Sequence, residues 1–214
     1  MVDFTILEER LEWLAARNED VAAVFAARAA LRVVPAVYVS SVAGRKRTMR
    51  VFRAVSVAWA AAAYPGHRDT LREAAKAALF GLGNVQLSTP VRSAVYAAAA
   101  AAAHGEDVLR HASTSVGYTL DAAETIGDEA FARTLEALEI DADQLARGFS
   151  SVTLANSQLW PGRLPDLMRW RWDQLKTALL GASEDWEVWT DWYEERLSGE
   201  LTDQTAELAR ERPD

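Results

Sequence analysis

The sequence predicts an all-α protein built as a single array of about ten helices. Apolar side chains recur every three or four residues along most of the chain, which is the spacing of one face of an α-helix. Alanine, the strongest helix former, dominates residues 22–137 and fills seven consecutive positions from Ala97 to Ala103. Proline and glycine interrupt this pattern repeatedly, so we expect many short helices rather than a few long ones.

Breaking and capping residues set the predicted boundaries in the first half of the chain. Pro35 breaks or kinks the second helix. Residues 36–43 contain valines typical of strands, but a lone strand leaves its backbone groups unpaired, so we expect continued helix that ends at Gly44. Thr89 and Pro90 are a strong start signal, a capping threonine followed by proline at the first helical position. The predicted helices cover residues 3–17, 21–34, 48–64, 69–79 and 89–104.

The second half of the chain is predicted to contain short helices and then a tryptophan-rich segment. The stretch 150–165 holds two prolines and a glycine, so it is predicted to be a loop and is the best candidate for a boundary. We therefore divide the chain into an Ala-rich region, residues 1–150, and a Trp-rich segment, residues 151–214, which we expect to pack as one domain. The predicted helices cover residues 106–114, 120–125, 128–138, 141–149, 166–180, 183–198 and 202–210.

Composition excludes several classes of protein. The chain has 214 residues, of which 50% are hydrophobic, too many for a disordered chain and enough for a sizeable core. It has no cysteine, which excludes a disulfide framework, a thiolate zinc site and a cysteine nucleophile. No apolar run reaches the roughly 20 residues that span a bilayer, and the acidic start lacks the features of a secretory signal. We therefore expect a soluble, cytoplasmic protein that does not enter a membrane.

No catalytic signature is present in the sequence. The glycine patterns that bind phosphates and dinucleotides are missing, and so is the serine-hydrolase elbow. Of the three histidines, His67, His104 and His111, the last two lie two helical turns apart, but Gly105 interrupts that helix. We therefore assign no catalytic residue, no metal site and no cofactor, and the sequence favours a protein that is not an enzyme.

Positive charge is concentrated just after Gly44. Residues 1–120 carry 14 Lys and Arg against 10 Asp and Glu, whereas residues 121–214 carry 9 against 21. Cations at a helix start oppose the helix dipole, which favours an external anion such as a phosphate or an acidic partner surface. A solvated turn, or pairing with the acidic half of the chain, is the structural alternative. Nucleic acid is disfavoured because the acidic half repels it. The candidate anion-binding residues are Arg45, Lys46, Arg47, Arg50 and Arg53.

Six of the eight tryptophans lie between Trp160 and Trp192. Three interpretations compete for this segment. The first is a hydrophobic plug that closes the helical array. The second is a docking site for another protein, since Trp, Tyr and Arg are enriched at such sites. The third is an aromatic cage for a small ligand. The candidate partner-binding residues are Trp186, Trp189, Trp192, Tyr193 and Arg196.

A longer string in this segment carries a resemblance. Residues 186–199 follow the pattern W-x-V-W-x-D-W-Y-x-x-R-L-x-G and, with residues 159–162 and 172–176, resemble a segment of uncharacterised bacterial proteins, mostly proteobacterial. Residues 26–33 and 59–65 are similar to the Ala-rich region that precedes the segment in those proteins. The resemblance implies a helical module with an accessory or interaction role, and it brings no established activity.

The sequence thus predicts a non-enzymatic interaction module that docks a protein partner, or a second copy of itself, through the Trp-rich end or the basic turn. The alternative is a small-molecule binding protein or enzyme with a pocket between helices. In that alternative Arg47, Arg50 and Arg53 clamp an anionic, nucleotide-like ligand.

Overall fold

A computed structural model of the chain describes residues 19–37, 42–82, 89–103, 107–182 and 186–199. It also describes five single positions near the N-terminus, all helical: Leu7, Glu9, Arg10, Glu12 and Trp13. Every regular element within these residues is a helix, which confirms the predicted all-α class. Among the described residues, no helix combines the length and the apolar character needed to cross a membrane.

Nine α-helices fall within the described residues: α1 Glu19–Arg32, α2 Val42–Ala63, α3 Arg68–Leu82, α4 Thr89–Ala103, α5 Val108–Glu124, α6 Asp128–Ala146, α7 Ser151–Ala155, α8 Asp166–Leu180 and α9 Glu187–Ser198. Two short 3-10 turns, Val34–Ala36 and Pro65–His67, follow α1 and α2 and contain prolines. These prolines end the α-helical hydrogen bonding because proline has no amide hydrogen to donate.

Helix α1 lies at the centre of the array. It contacts α2, α4, α5, α6 and α7, and every residue from Val21 to Arg32 is buried apart from Ala23, which is half-buried. The alanines of α4 are buried in the same way, with only Ala102 partly exposed. Small side chains let neighbouring backbones approach closely, so the Ala-rich composition serves packing among these helices.

The structure corrects the predicted boundary between the second and third helices. Gly44 lies in the first turn of α2, where its carbonyl accepts a hydrogen bond from the Thr48 hydroxyl, and does not end the preceding helix. Val37 has an extended backbone, so the helix predicted for residues 36–43 is wrong at this position. Residues 38–41 lie outside the described ranges.

Two predicted breaks in the second half of the chain are also wrong. The helices predicted for residues 106–114 and 120–125 form the single helix α5, because its buried face continues without interruption. Those predicted for residues 128–138 and 141–149 form α6, in which Asp141 lies well inside the helix. Aspartate is a good N-cap, so the local sequence favours a helix start at this position. Contacts of the Asp141 carboxylate with distant parts of the chain outweigh this local preference for a helix start.

The Trp-rich segment follows the prediction more closely. Helix α8 has the predicted bounds, whereas the loop predicted for residues 150–165 contains the short helix α7. The Ser150 hydroxyl caps α7 by accepting a hydrogen bond from the Thr153 amide at 3.0 Å. The predicted start of the next helix at residue 183 and the predicted helix of residues 202–210 lie outside the described residues.

A buried ion cluster joins α1 to α6. Arg28 donates from Nε and Nη2 to the two carboxylate oxygens of Asp141, at 2.8 and 2.9 Å. Arg32 donates from Nη2 to Oδ2 of the same carboxylate at 2.8 Å. The three side chains are at most 3% exposed. Paired hydrogen bonds between charged groups fix both distance and orientation, so the cluster sets how α6 lies on α1.

Backbone carbonyls complete the environment of the two cations. Arg28 donates to three carbonyls of residues 154–158 at 2.8–2.9 Å, and Arg32 donates to the carbonyl of Leu159 at 2.8 Å. Burial lowers the pKa of Arg32 to about 10, against the opposing effect of Asp141. One carboxylate neutralises only one of the two guanidinium groups. The backbone carbonyls therefore have to supply further hydrogen-bond acceptors, which requires the segment after α7 to stay packed against α1.

Replacing Asp141 with asparagine leaves two buried guanidinium groups without their counter-ion, so we expect the free energy of unfolding to fall by about 3 kcal/mol or more. Asp143→Asn, two positions along the same helix, is the matched control. It breaks only the partly exposed ion pair with Arg10 and should cost about 1 kcal/mol or less. Urea unfolding followed by circular dichroism measures both. Equal losses for the two variants would contradict the role given to the cluster.

Candidate functional site

The aromatic side chains of α9 pack against α2. Trp186 and Tyr193 are completely buried, and each ring centroid lies 6.4 Å from that of Phe52. Trp189 is half-buried, and its ring centroid lies 6.0 Å from that of Phe52. Aromatic pairs at such separations add attraction to the area they bury. Phe52 is therefore the part of α2 that receives this face of α9.

Tyr193 connects three helices through one side chain. Its hydroxyl donates a hydrogen bond to the carbonyl of Leu31 in α1 at 3.0 Å. Its ring centroid lies 4.4 Å from that of Trp172 in α8. Burial raises the pKa of the Tyr193 phenol far above its ordinary value, although the charge of Arg32 opposes the shift. The neutral phenol is thus part of the interior.

A second set of contacts surrounds Trp59 of α2. The ring of Trp192 meets it edge-on with centroids 5.9 Å apart, and the guanidinium carbon of Arg196 lies 4.2 Å from its centroid. The indole nitrogen of Trp59 donates to the carbonyl of Ala155 at 2.9 Å. Burial lowers the pKa of Arg196, and its ion pair with Glu195 opposes this. The cation therefore stacks on an indole inside the array.

The structure brings together the five residues that the sequence proposes for partner binding, but it places them against the core. Trp186, Tyr193 and Arg196 are buried, and Trp189 and Trp192 are half-buried. Their contacts fill the space between α9 and α2, as a hydrophobic plug does. An aromatic cage needs an open space between its rings, whereas these rings contact one another and the rings of α2.

Sequence reasoning missed two apolar side chains of α8 that reach the surface. Trp170 of α8 is 57% exposed, and Leu167, one turn earlier, is 40% exposed. The buried face of the same helix consists of Met168, Trp172, Leu175 and Leu179. The 4-3-4 spacing of that face is the signal that places Trp170 on the opposite side.

The cations after Gly44 lie along the first half of α2, a helix that contains no acidic residue. Lys46, Arg50 and Arg53 are exposed, and their i, i+4, i+7 spacing places them on one face, which we call the basic stripe. Arg45 and Arg47 are half-buried and lie on either side of it. The clamp of Arg47, Arg50 and Arg53 that the sequence suggests for an anionic ligand stays a prediction.

The basic stripe faces no carboxylate of the described chain. Arg50 donates from Nη1 to the carbonyl of Gly81, near the end of α3, at 3.2 Å. The side chains of Lys46 and Arg53 make neither a hydrogen bond nor an ion pair with any residue that the structure describes. Pairing of these three cations with the acidic half of the chain is therefore not seen in the described ranges.

Titratable side chains of the described ranges do not gather into a group of three or more that could hold a metal ion. His104, considered with His111 as a possible metal ligand in the sequence, lies outside those ranges.

Gly199 is the residue that ends α9, and its surroundings leave no space for a side chain. Its φ of 72° is left-handed, and its amide donates to the carbonyl of Glu195 at 2.9 Å. A Cβ atom at this position would lie 2.5 Å from the amide nitrogen of Gln158. The neighbouring carbonyl of Arg196 accepts a hydrogen bond from the Leu159 amide at 3.1 Å. Gly199 therefore lets the end of α9 touch the segment that holds the buried arginines.

Gly199→Ala should lower the free energy of unfolding by about 2–4 kcal/mol, because it adds a backbone clash to the cost of the left-handed conformation. Gly148→Ala is the matched control. Gly148 also has a positive φ, of 96°, but nothing lies within 4 Å of the added Cβ, so we expect a loss of only about 1–2 kcal/mol. Thermal and urea unfolding compare the two variants, and equal losses would argue against the contact with Gln158.

Tyr193 should not ionise while the protein is folded. The unfolded chain loses this proton above about pH 10 and the folded chain keeps it, so the free energy of unfolding falls as the pH rises through that range. An absorbance titration of native wild-type protein and of Tyr193→Phe should count the same number of ionised tyrosines. After denaturation the wild type should show one more. An extra ionised tyrosine in the native wild type would show that the phenol is accessible.

Comparisons with known proteins provide no family for this chain. No family model, curated protein or solved structure matches it. The resemblance of residues 186–199 to bacterial proteins accordingly stays a prediction. What the protein binds is therefore inferred from the exposure, charge and contacts of its described side chains.

Proposed function

We propose that this protein is a non-enzymatic, cytoplasmic interaction module of a bacterial protein system, and that it docks an acidic surface of a protein partner through the basic stripe. The proposal rests on three exposed cations, Lys46, Arg50 and Arg53, that share one helix face and meet no carboxylate among the described residues. Unpaired surface charges of one sign attract a surface of the opposite sign, which steers the encounter and accelerates binding.

The dimensions of the basic stripe favour a small acidic patch as its target. Seven residues of helix rise by about 10 Å, which is two helical turns. Carboxylates with the same i, i+4, i+7 spacing on a partner helix would match the three cations. A nucleic acid is less suitable, because residues 121–214 carry 21 acidic against 9 basic residues and repel a phosphate backbone.

A second copy of the chain is an alternative occupant of the stripe. Glu187 and Asp191 of α9 are both exposed, and their i, i+4 spacing places them on one face. Contact between this face and the basic stripe of another molecule would join two different surfaces, so it would extend into chains or rings. Such growth appears directly as concentration-dependent mass in light scattering.

The test compares two triple charge reversals that change the net charge equally. Lys46→Glu, Arg50→Glu and Arg53→Glu together remove the stripe. Arg72→Glu, Lys76→Glu and Arg163→Glu together are the matched control, because these side chains are exposed or partly exposed and lie outside the stripe. Cross-linking of the wild-type chain in bacterial cells identifies the partner, and titration calorimetry with the purified partner then measures binding.

We expect the stripe reversal to weaken binding by about 100-fold or more, whereas the control reversal changes it by less than about fivefold. Binding of the wild type should also weaken as salt rises, because salt screens exposed charges. Equal affinities for the stripe and control reversals would rule the stripe out as the docking surface. A complex that dissolves on nuclease treatment would instead identify a nucleic acid as the partner.

A further inference from the structure

A groove of about 450 Å³ lies between α4 and α5, with Leu82 of α3 at its edge. This volume falls within the roughly 300–1,000 Å³ that small-molecule sites occupy. Helix α4 contributes Arg92, Ser93 and Tyr96 to the lining. The Arg92 and Tyr96 positions are four residues apart, so one turn of α4 presents a cation and an aromatic ring on the same side.

Helix α5 supplies the other wall with side chains of the same kinds. Arg110, Thr114 and Tyr118 line the groove at i, i+4, i+8 spacing, together with His111. No carboxylate is among the described lining residues, although Asp107 pairs with Arg110 at 3.0 Å from outside the lining. The groove is thus lined by hydrogen-bond donors, cations and two aromatic rings.

The register of the two helices places Arg92, Ser93 and Tyr118 at one end of the groove. Helices α4 and α5 are joined by a short connection and run antiparallel. The Ser115 hydroxyl of α5 donates to the carbonyl of Ala94 in α4 at 3.0 Å, which sets those two residues side by side. With about 1.5 Å of rise per residue, Tyr118 then lies level with Arg92, whereas Arg110 lies about 10 Å further along.

Arg92 is the cation best placed to hold a ligand. Arg92 is half-buried and its side chain makes no hydrogen bond or ion pair with any described residue, whereas the side chain of Arg110 pairs with Asp107. Arg92 also belongs to the first turn of α4, where the helix dipole favours negative charge. Its guanidinium group, with the hydroxyl groups of Ser93 and Tyr118, offers enough donors for the three terminal oxygens of a phosphate.

We propose that this groove binds a phosphate monoester whose organic part carries a flat ring. The phosphate occupies the end formed by Arg92, Ser93 and Tyr118. The ring lies further along the groove, against the side chain of Tyr96, where stacking on an aromatic face is favourable for any base or phenyl ring. This site shares no residue with the basic stripe and does not rest on the docking proposal.

Adenosine monophosphate and phenyl phosphate are the probes, and titration calorimetry on the full chain measures their affinity. We expect both to bind, adenosine not to bind, and inorganic phosphate to bind about tenfold more weakly than either ester. Arg92→Gln should weaken both esters by about tenfold or more, because a bidentate charged contact is lost. Absence of binding at millimolar ester concentration, or equal binding of adenosine and its monophosphate, would overturn the proposal.

Matched variants separate loss of the site from loss of the fold. Arg163→Gln is the control, because it makes the same chemical change as Arg92→Gln at an exposed arginine outside the groove. Arg163 pairs with Asp166. Arg163→Gln should leave ester binding unchanged, and Tyr118→Phe, which removes one hydroxyl, should weaken it by about threefold to tenfold. Equal affinities of Arg92→Gln and Arg163→Gln would overturn the assignment.

Discussion

The pairing of two buried arginines with one buried aspartate governs the arrangement of this protein. Arg28 and Arg32 lie in the helix that the rest of the array surrounds, where a lone cation is costly. Asp141 and carbonyls of residues 154–159 accept hydrogen bonds from both arginines, so α6 and the segment after α7 have fixed places. That segment in turn receives the end of α9. The Trp-rich face therefore takes its position from two arginines near the C-terminal end of an alanine-rich helix.

Two kinds of helix packing meet in this chain. Among α1, α4 and α5, small side chains allow close contact between backbones, and little space is left to fill. Between α9 and α2 the space is larger, and the rings of Trp186, Tyr193 and Phe52 occupy it. The tryptophans that look like docking anchors in the sequence are thus used mostly inside the molecule. The described surface carries charged side chains and several exposed apolar ones, such as Trp170 and Phe80.

The sequence predicts the fold class well because helical periodicity is a local property, and Pro165 and Gly181 mark the bounds of α8. It fails where a distant contact overrides a local preference, as at Asp141, whose carboxylate reaches across 113 positions to Arg28. The five cations after Gly44 can be found by composition, but only packing separates exposed Arg53 from half-buried Arg47. The groove escapes sequence reasoning because its residues come from three helices and follow no motif.

The hydrogen bond from Tyr193 to the carbonyl of Leu31 spans 162 positions of the chain. A nascent chain that has emerged only as far as α8 therefore still presents Phe52 and Trp59 uncovered, since α9 supplies the rings and the guanidinium group that shield them. Folding of this helical array cannot finish until α9 has left the ribosome. Until then the half-finished array is a substrate for chaperones and proteases, which recognise exposed apolar surface.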